Sequence, residues 1–181
     1  HKNTHKISLK SIIEHSVSVR QGVKKSLFVV DMPKGTYKNV KTAQKNVRLV
    51  IKKTGCDAIK LESNNKNYKI IKTLVKKKIP VMGHIGFTPQ FKKKFKIEDE
   101  TKKEAIKLLK EAKQIEKAGA FSIVLECISP PTAKLITNQL SIPTIGIGSS
   151  INCDGQILVT DDMLGISGFY PKFVKKYVRL D

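Results

Sequence analysis

Short apolar runs and helix-periodic segments alternate along this 181-residue sequence, and that alternation leaves few folds open. Leu9, Ile12, Ile13, Ser16 and Val17 mark one face of a first helix, with Ser8 as N-cap and Gly22 as its end. Leu27-Phe28-Val29-Val30 then reads as a short buried strand, closed by Asp31 and Pro33. Val40, Ala43, Val47 and Val50 recur at helical spacing up to Gly55, and Ala58-Ile59-Lys60-Leu61-Glu62 follows as a strand. A helix around Ile70, Ile71, Leu74 and Val75 stops at Pro80, before the strand Val81-Met82-Gly83-His84. Residues 87–99 read as a loop carrying Lys92-Lys93-Lys94, and a strong helix is expected over 101–118, terminated by Gly119. Phe121-Ser122-Ile123-Val124-Leu125, closed by Glu126, is the fourth strand, and Pro130 and Pro131 open a helix through Leu140. Residues 144–148 form a fifth strand, Ile157-Leu158-Val159 a sixth closed by Asp161 and Asp162, and residues 171–177 a terminal helix. Strand, helix, strand, helix implies right-handed βαβ units on a parallel sheet. With no linker and no repeat, residues 1–181 read as one α/β domain.

The strand 58–62 carries the sharpest chemical signal. Alternate strand residues share a face, so Lys60 and Glu62 point the same way. A parallel strand covered on both sides is expected to be almost wholly apolar. Buried charges need a partner or a metal. Taken alone, the pair also fits a structural ion pair or an exposed edge strand. The other strands end in the same manner, with Asp31, His84 and Glu126, and with Gly146 and Gly148 where backbone comes close at the fifth. In parallel α/β folds the carboxyl ends of the strands gather on one side and form the site. An acid after a strand is often only a helix cap; four consecutive strands closing on charged or titratable residues are less easily explained that way.

Asp31 and Glu62, on neighbouring strands, suit a hard divalent cation such as Mg²⁺, which takes oxygen ligands and binds through one or two carboxylates plus substrate and water. The sequence has no His/Cys cluster of the kind zinc takes. Lys60 would receive a substrate carboxylate or a developing oxyanion. Glu126, apart from that pair, is available as a general base. His84 has two readings, a substrate contact or an orienting hydrogen bond beneath the site.

Composition narrows the partners. The net charge of +20 invites a nucleic-acid hypothesis. However, the only arginines are Arg20, Arg48 and Arg179; the rest are lysines dispersed among isoleucine and asparagine, and aromatics are not interleaved with them. Base and phosphate readers favour the arginine fork, so no nucleic-acid partner is expected. No apolar run is long enough for a membrane span. Three cysteines, Cys56, Cys127 and Cys153, lack metal-ligand spacing, and with no signal peptide visible a reducing cytoplasm is expected.

The chain resembles the ketopantoate hydroxymethyltransferase family. The residues that carry the resemblance are Val29-Val30-Asp31-Met32-Pro33, Asp57-Ala58-Ile59-Lys60-Leu61-Glu62 and Pro80-Val81-Met82-Gly83-His84-Ile85-Gly86-Phe87-Thr88-Pro89-Gln90. Further on come Val124-Leu125-Glu126-Cys127, Ile142-Pro143-Thr144-Ile145-Gly146-Ile147-Gly148 and Cys153-Asp154-Gly155-Gln156-Ile157-Leu158-Val159. The resemblance implies a (β/α)8 TIM barrel of the phosphoenolpyruvate/pyruvate superfamily. It implies transfer of a hydroxymethyl group from 5,10-methylenetetrahydrofolate to 3-methyl-2-oxobutanoate, giving 2-dehydropantoate for pantothenate and coenzyme A synthesis, through a Mg²⁺-stabilised enolate. On this resemblance Asp31 is a metal ligand that also touches substrate, Glu62 a second metal ligand, Lys60 a substrate-binding lysine and Glu126 the proton acceptor. A large homo-oligomer, often a decamer, is implied as well.

The first residue is His1, and a family strand ending in an Asp-Ser pair is absent, so about six of eight strands are expected, the first two missing. Such a piece is expected to be inactive or barely active by itself. The family's usual glycines after Glu62 are Ser63 and Asn64 here, its glycine-rich loop near 96–101 reads Lys-Ile-Glu-Asp-Glu-Thr, and Ser149 and Ser150 follow Gly148. The competing readings are another Mg²⁺-dependent 2-oxo acid lyase or aldolase of the superfamily, and an inactive barrel remnant.

Overall fold

The computed structural model describes residues 7–63, 67–92 and 96–180. His1, Asn64, Lys93 and Lys94 lie outside the described residues. The first helix, α1 (Leu9–Gly22), starts where the Ser8 side chain accepts the Ser11 N–H. The order continues β1 (Val29–Asp31), α2 (Val40–Thr54), β2 (Ala58–Glu62), α3 (Tyr68–Lys76), β3 (Val81–Gly86) and α4 (Lys102–Lys117). It ends β4 (Ser122–Glu126), α5 (Pro130–Gln139), β5 (Thr144–Ile147), β6 (Gly155–Gln156) and α6 (Thr160–Leu164). Local chemistry sets the boundaries. Thr101 and Glu104 form a reciprocal capping box on α4, and α2 stops at Gly55, whose φ of 64° is left-handed.

All neighbouring strands are parallel and follow sequence order, β1 to β6. Right-handed crossovers that always advance in one direction leave every connecting helix on the same side of the sheet. That is the wall of a (β/α) barrel rather than a doubly wound sheet. The helix-facing side is apolar: Val30, Ile59, Leu61, Ile85, Ile123 and Leu125 are each no more than 3% exposed. They share one core cluster with Val47 of α2, Leu74 of α3, Ile115 of α4 and Ile136 of α5. Gly83 is small because α4 sits directly on it; a Cβ there would meet Ile115 Cγ2 at 2.5 Å.

Four expectations are corrected. The first strand begins at Val29, leaving Leu27 exposed, because Phe28 is occupied by the Asp57 turn: its N–H donates to Asp57 Oδ2 and its carbonyl accepts from Asp57 N–H. The third strand runs past His84 to Gly86. The sixth strand is Gly155–Gln156, ahead of the apolar run 157–159, and Asp161 and Asp162 open α6 instead of closing a strand. The reason is Asp154, whose Oδ2 accepts both the N–H and the hydroxyl of Thr144 and so pins the register two residues early. Finally, residues 171–177 are not helical. After a turn at Pro171, the N–H groups of Tyr177 and Leu180 are taken by the Met163 and Leu164 carbonyls at the end of α6.

Candidate active site

The pairing register puts the polar strand residues on one face. Asp31 pairs with Lys60, Glu62 with His84, His84 with Val124 and Gly86 with Glu126. Register partners in a parallel sheet point the same way, and so do residues two apart on one strand. Asp31, Lys60, Glu62, His84 and Glu126 therefore all leave the sheet on the face opposite the helix-packed core. Asp31, Glu62, His84 and Glu126 sit in the C-terminal half of their strands and Lys60 at the middle of its own.

Their contacts are close. Lys60 Nζ lies 2.7 Å from Asp31 Oδ2 and 3.4 Å from His84 Nδ1. His84 Nε2 stands 3.1 Å from Glu126 Oε2 but out of line for an N–H hydrogen bond. Glu62, 2% exposed, accepts the Gln90 N–H on Oε2 at 2.9 Å. Lys60 thus links Asp31 on β1 to Glu126 on β4 through His84.

Three carboxylates facing one ammonium on a largely buried face cannot all ionise easily. Burial pushes Glu62 up to about 7, and the Asp31 charge adds to this, against the Gln90 N–H and Lys60. Burial likewise pushes Glu126 up to about 8; Lys60 pulls it down, while Glu62 and Asp31 raise it further. Asp31 is raised by burial and partly relieved by Lys60. Burial would lower Lys60, but Asp31, with Glu62 and Glu126 behind it, outweighs this and holds the ammonium charged. His84 is driven well below the usual histidine range, first by burial and then by the charge of Lys60, so its imidazole is neutral.

These residues fit a hard divalent cation. Asp31 Oδ1 is buried without a hydrogen-bond partner among the described residues. Glu62 presents a second carboxylate that burial and repulsion hold partly protonated, and a cation would relieve that repulsion. Among the described residues there is no group of three or more His, Cys, Asp or Glu able to hold a metal. Two carboxylates would leave the rest of a bound ion's shell to substrate and water, an arrangement that Mg²⁺ accepts.

The described residues that follow β3 are tied to its neighbours. Lys92 Nζ donates to the Gly86 carbonyl at 2.8 Å and pairs with Glu98. Glu98 N–H donates to the Cys127 carbonyl, and Asp99 accepts the Ser129 N–H at 2.8 Å. Cys127, directly after Glu126, adopts φ of 52°, a left-handed conformation rare outside glycine. Gly86 has φ of 93°, and a Cβ there would meet the Glu126 carbonyl oxygen at 2.1 Å. All five strand-end residues singled out in the sequence are brought together. Gln90 and Tyr37 were missed as contributors: Tyr37 Oη donates to Gln90 Oε1 at 2.7 Å, and Gln90 Nε2 donates to the Met32 carbonyl at 2.9 Å. Gln90 lies inside the quoted motif, but nothing in its sequence neighbourhood says which distant groups it meets.

Known proteins share both pattern and fold. A solved structure described as a phosphonomutase from Burkholderia cenocepacia superposes with a TM-score of 0.60 at 14% identity, covering 77% of this chain and 62% of that one. A 3-methyl-2-oxobutanoate hydroxymethyltransferase of Pelagibacter ubique is 52% identical over 179 residues, covering 99% of this chain and 70% of the relative. The enzyme of the same name from Clostridioides difficile is 48% identical over 184 residues, covering 99% and 67%. The family profile of ketopantoate hydroxymethyltransferase matches residues 1–181. A profile match over the full chain, with relatives near half identity, means that the chain belongs to the ketopantoate hydroxymethyltransferase family.

Proposed function

We propose that the protein these residues belong to transfers the one-carbon unit of 5,10-methylenetetrahydrofolate to C3 of 3-methyl-2-oxobutanoate as a hydroxymethyl group, taking up one water and releasing tetrahydrofolate, to form 2-dehydropantoate. The observation that carries the reading is the shared face of Asp31, Lys60, Glu62 and Glu126, with the first three contiguous and Glu126 set apart across His84. Asp31 and Glu62 are the residues that would hold Mg²⁺. When bound, such an ion supplies Lewis acidity toward the oxygens of a 2-oxo acid. Lys60 holds a persistent positive charge on this face and is suited to receive the substrate carboxylate or the charge that develops on the keto oxygen. Glu126 takes the proton from C3, leaving that carbon free to bond to the one-carbon unit. Its pKa near the working pH suits a group that must accept a proton and release it again each turnover. His84, buried and neutral, lies against both Lys60 and Glu126 and limits where they can move.

The partners proposed are the two small-molecule substrates and further copies of the chain, assembled as a homo-oligomer, by family resemblance a decamer. No helix among the described residues is long and apolar enough to cross a membrane. The three cysteines are buried thiols, which suits the reducing cytoplasm proposed as its compartment.

The test is product formation. The protein expressed from its whole gene is incubated with 3-methyl-2-oxobutanoate, 5,10-methylenetetrahydrofolate and Mg²⁺, and 2-dehydropantoate is followed by mass spectrometry. Product that depends on folate supports the reading. Turnover of 2-oxo acids without folate would replace it with a lyase or aldolase, and no turnover under any combination would leave an inactive member of the family.

A further inference from the structure

We propose that Gln90 is the positioning residue of the Asp31–Glu62 carboxylate pair. The inference rests on the metal reading of that pair given above. Three hydrogen bonds converge on this one residue. Its main-chain N–H donates to Glu62 Oε2 at 2.9 Å, its amide nitrogen donates to the Met32 carbonyl at 2.9 Å, and its amide oxygen accepts from Tyr37 Oη at 2.7 Å. Met32 follows Asp31 directly, and its own N–H donates to the Lys60 carbonyl at 3.1 Å. The result is a closed circuit. It runs from Asp31 to Met32, across to Gln90, from Gln90 to Glu62, and back along β2 to Lys60 and Met32.

The directions of these bonds leave no alternative. A carbonyl oxygen only accepts, so the amide nitrogen of Gln90 faces Met32 and the amide oxygen faces Tyr37. The Tyr37 hydroxyl is therefore committed as a donor. Met32, Tyr37 and Gln90 are 0%, 4% and 6% exposed, so water does not readily replace a broken bond and an unmade one is costly. The Gln90 side chain anchors the stretch of loop that presents its N–H to Glu62. One Glu62 oxygen is thereby occupied and oriented. A residue that sets two ligands at once, from a loop belonging to neither strand, controls their separation more than their identity. Outer-shell partners of this kind typically change metal affinity by about 10- to 100-fold when removed.

The experiment measures Mn²⁺ binding by electron paramagnetic resonance, alongside thermal melting, for the full chain and for Gln90→Ala and Tyr37→Phe. Gln90→Ala is expected to weaken Mn²⁺ binding by about 10- to 100-fold at a temperature where circular dichroism shows it folded. Tyr37→Phe, which removes one of the three bonds and keeps the ring, is expected to weaken it by about 2- to 10-fold. A merely structural role would lower the melting temperature and leave the affinity of the folded protein unchanged. Affinities within about twofold of the parent would overturn the proposal. If Gln90→Ala does not fold, Tyr37→Phe decides by the same criterion. Failure of the unaltered chain to bind Mn²⁺ would overturn the metal reading together with this inference, whereas tight binding by parent and variants alike overturns this inference alone.

Discussion

Replacing Glu126 by glutamine keeps the shape of the side chain and removes its ability to take a proton, and the structure gives the consequence for both rate and stability. The Glu126 carboxyl is raised from an ordinary 4.5 to about 8, chiefly by burial. Below about pH 4.5 it is protonated in folded and unfolded chains alike, so its contribution to stability is fully present. Between pH 4.5 and 8 the unfolded chain ionises while the folded one holds its proton, and that contribution is lost as pH rises through the folded pKa. At about 1.4 kcal/mol per pH unit, the whole rise is worth at most about 5 kcal/mol. Glutamine has no such loss. The stability of Glu126→Gln relative to the parent is therefore expected to grow by about 2–5 kcal/mol from low pH to pH 8 and then level off. Urea denaturation across that range reads it. Over the same range, exchange of the C3 proton of 3-methyl-2-oxobutanoate into heavy water, followed by NMR, is expected to rise with pH through about 8 in the parent and to fall by about 10²- to 10⁴-fold in the variant. Parallel stability profiles for the two proteins would refute the buried-carboxyl reasoning. Exchange undiminished by the substitution would refute the assignment of the base.

Lys60→Met removes the ammonium that faces three carboxylates. A charge-assisted hydrogen bond to substrate is worth about 1.5–3 kcal/mol, so steady-state kinetics are expected to show KM for the 2-oxo acid raised by about 10- to 100-fold. Because Lys60 pulls Glu126 down, the low-pH limb of the rate profile is expected to move upward in this variant. Gly86→Ala places a Cβ 2.1 Å from the Glu126 carbonyl oxygen and 2.9 Å from Ile128 Cγ1, at φ of 93°. Strain and overpacking together are expected to cost about 2–5 kcal/mol, read as a lower denaturation midpoint, and to displace the strand end that carries Glu126.

The polar face was legible because it follows from a period of two. Lys60 and Glu62 share a face by alternation, and once β1, β2, β3 and β4 lie in sequential register, Asp31, His84 and Glu126 fall on that face too. Helix ends were legible where a cap announces them, as at Ser8 and Gly55. What stayed hidden depends on side chains that meet across long stretches of sequence. Asp154 captures Thr144 and moves the last strand off its apolar run. The terminal segment satisfies its N–H groups on the end of α6 and so has no need to form a helix. Gln90 joins residues 58 and 53 positions away, which local periodicity cannot report.

The most direct measurement is a crystal structure of the full chain with Mn²⁺ and 3-methyl-2-oxobutanoate, the metal located by anomalous scattering. The account predicts a single peak bonded to oxygens of Asp31 and Glu62, Lys60 against the keto acid, and Glu126 facing C3 from the other side. A peak held by other residues, or a keto acid whose C3 points away from Glu126, would contradict it.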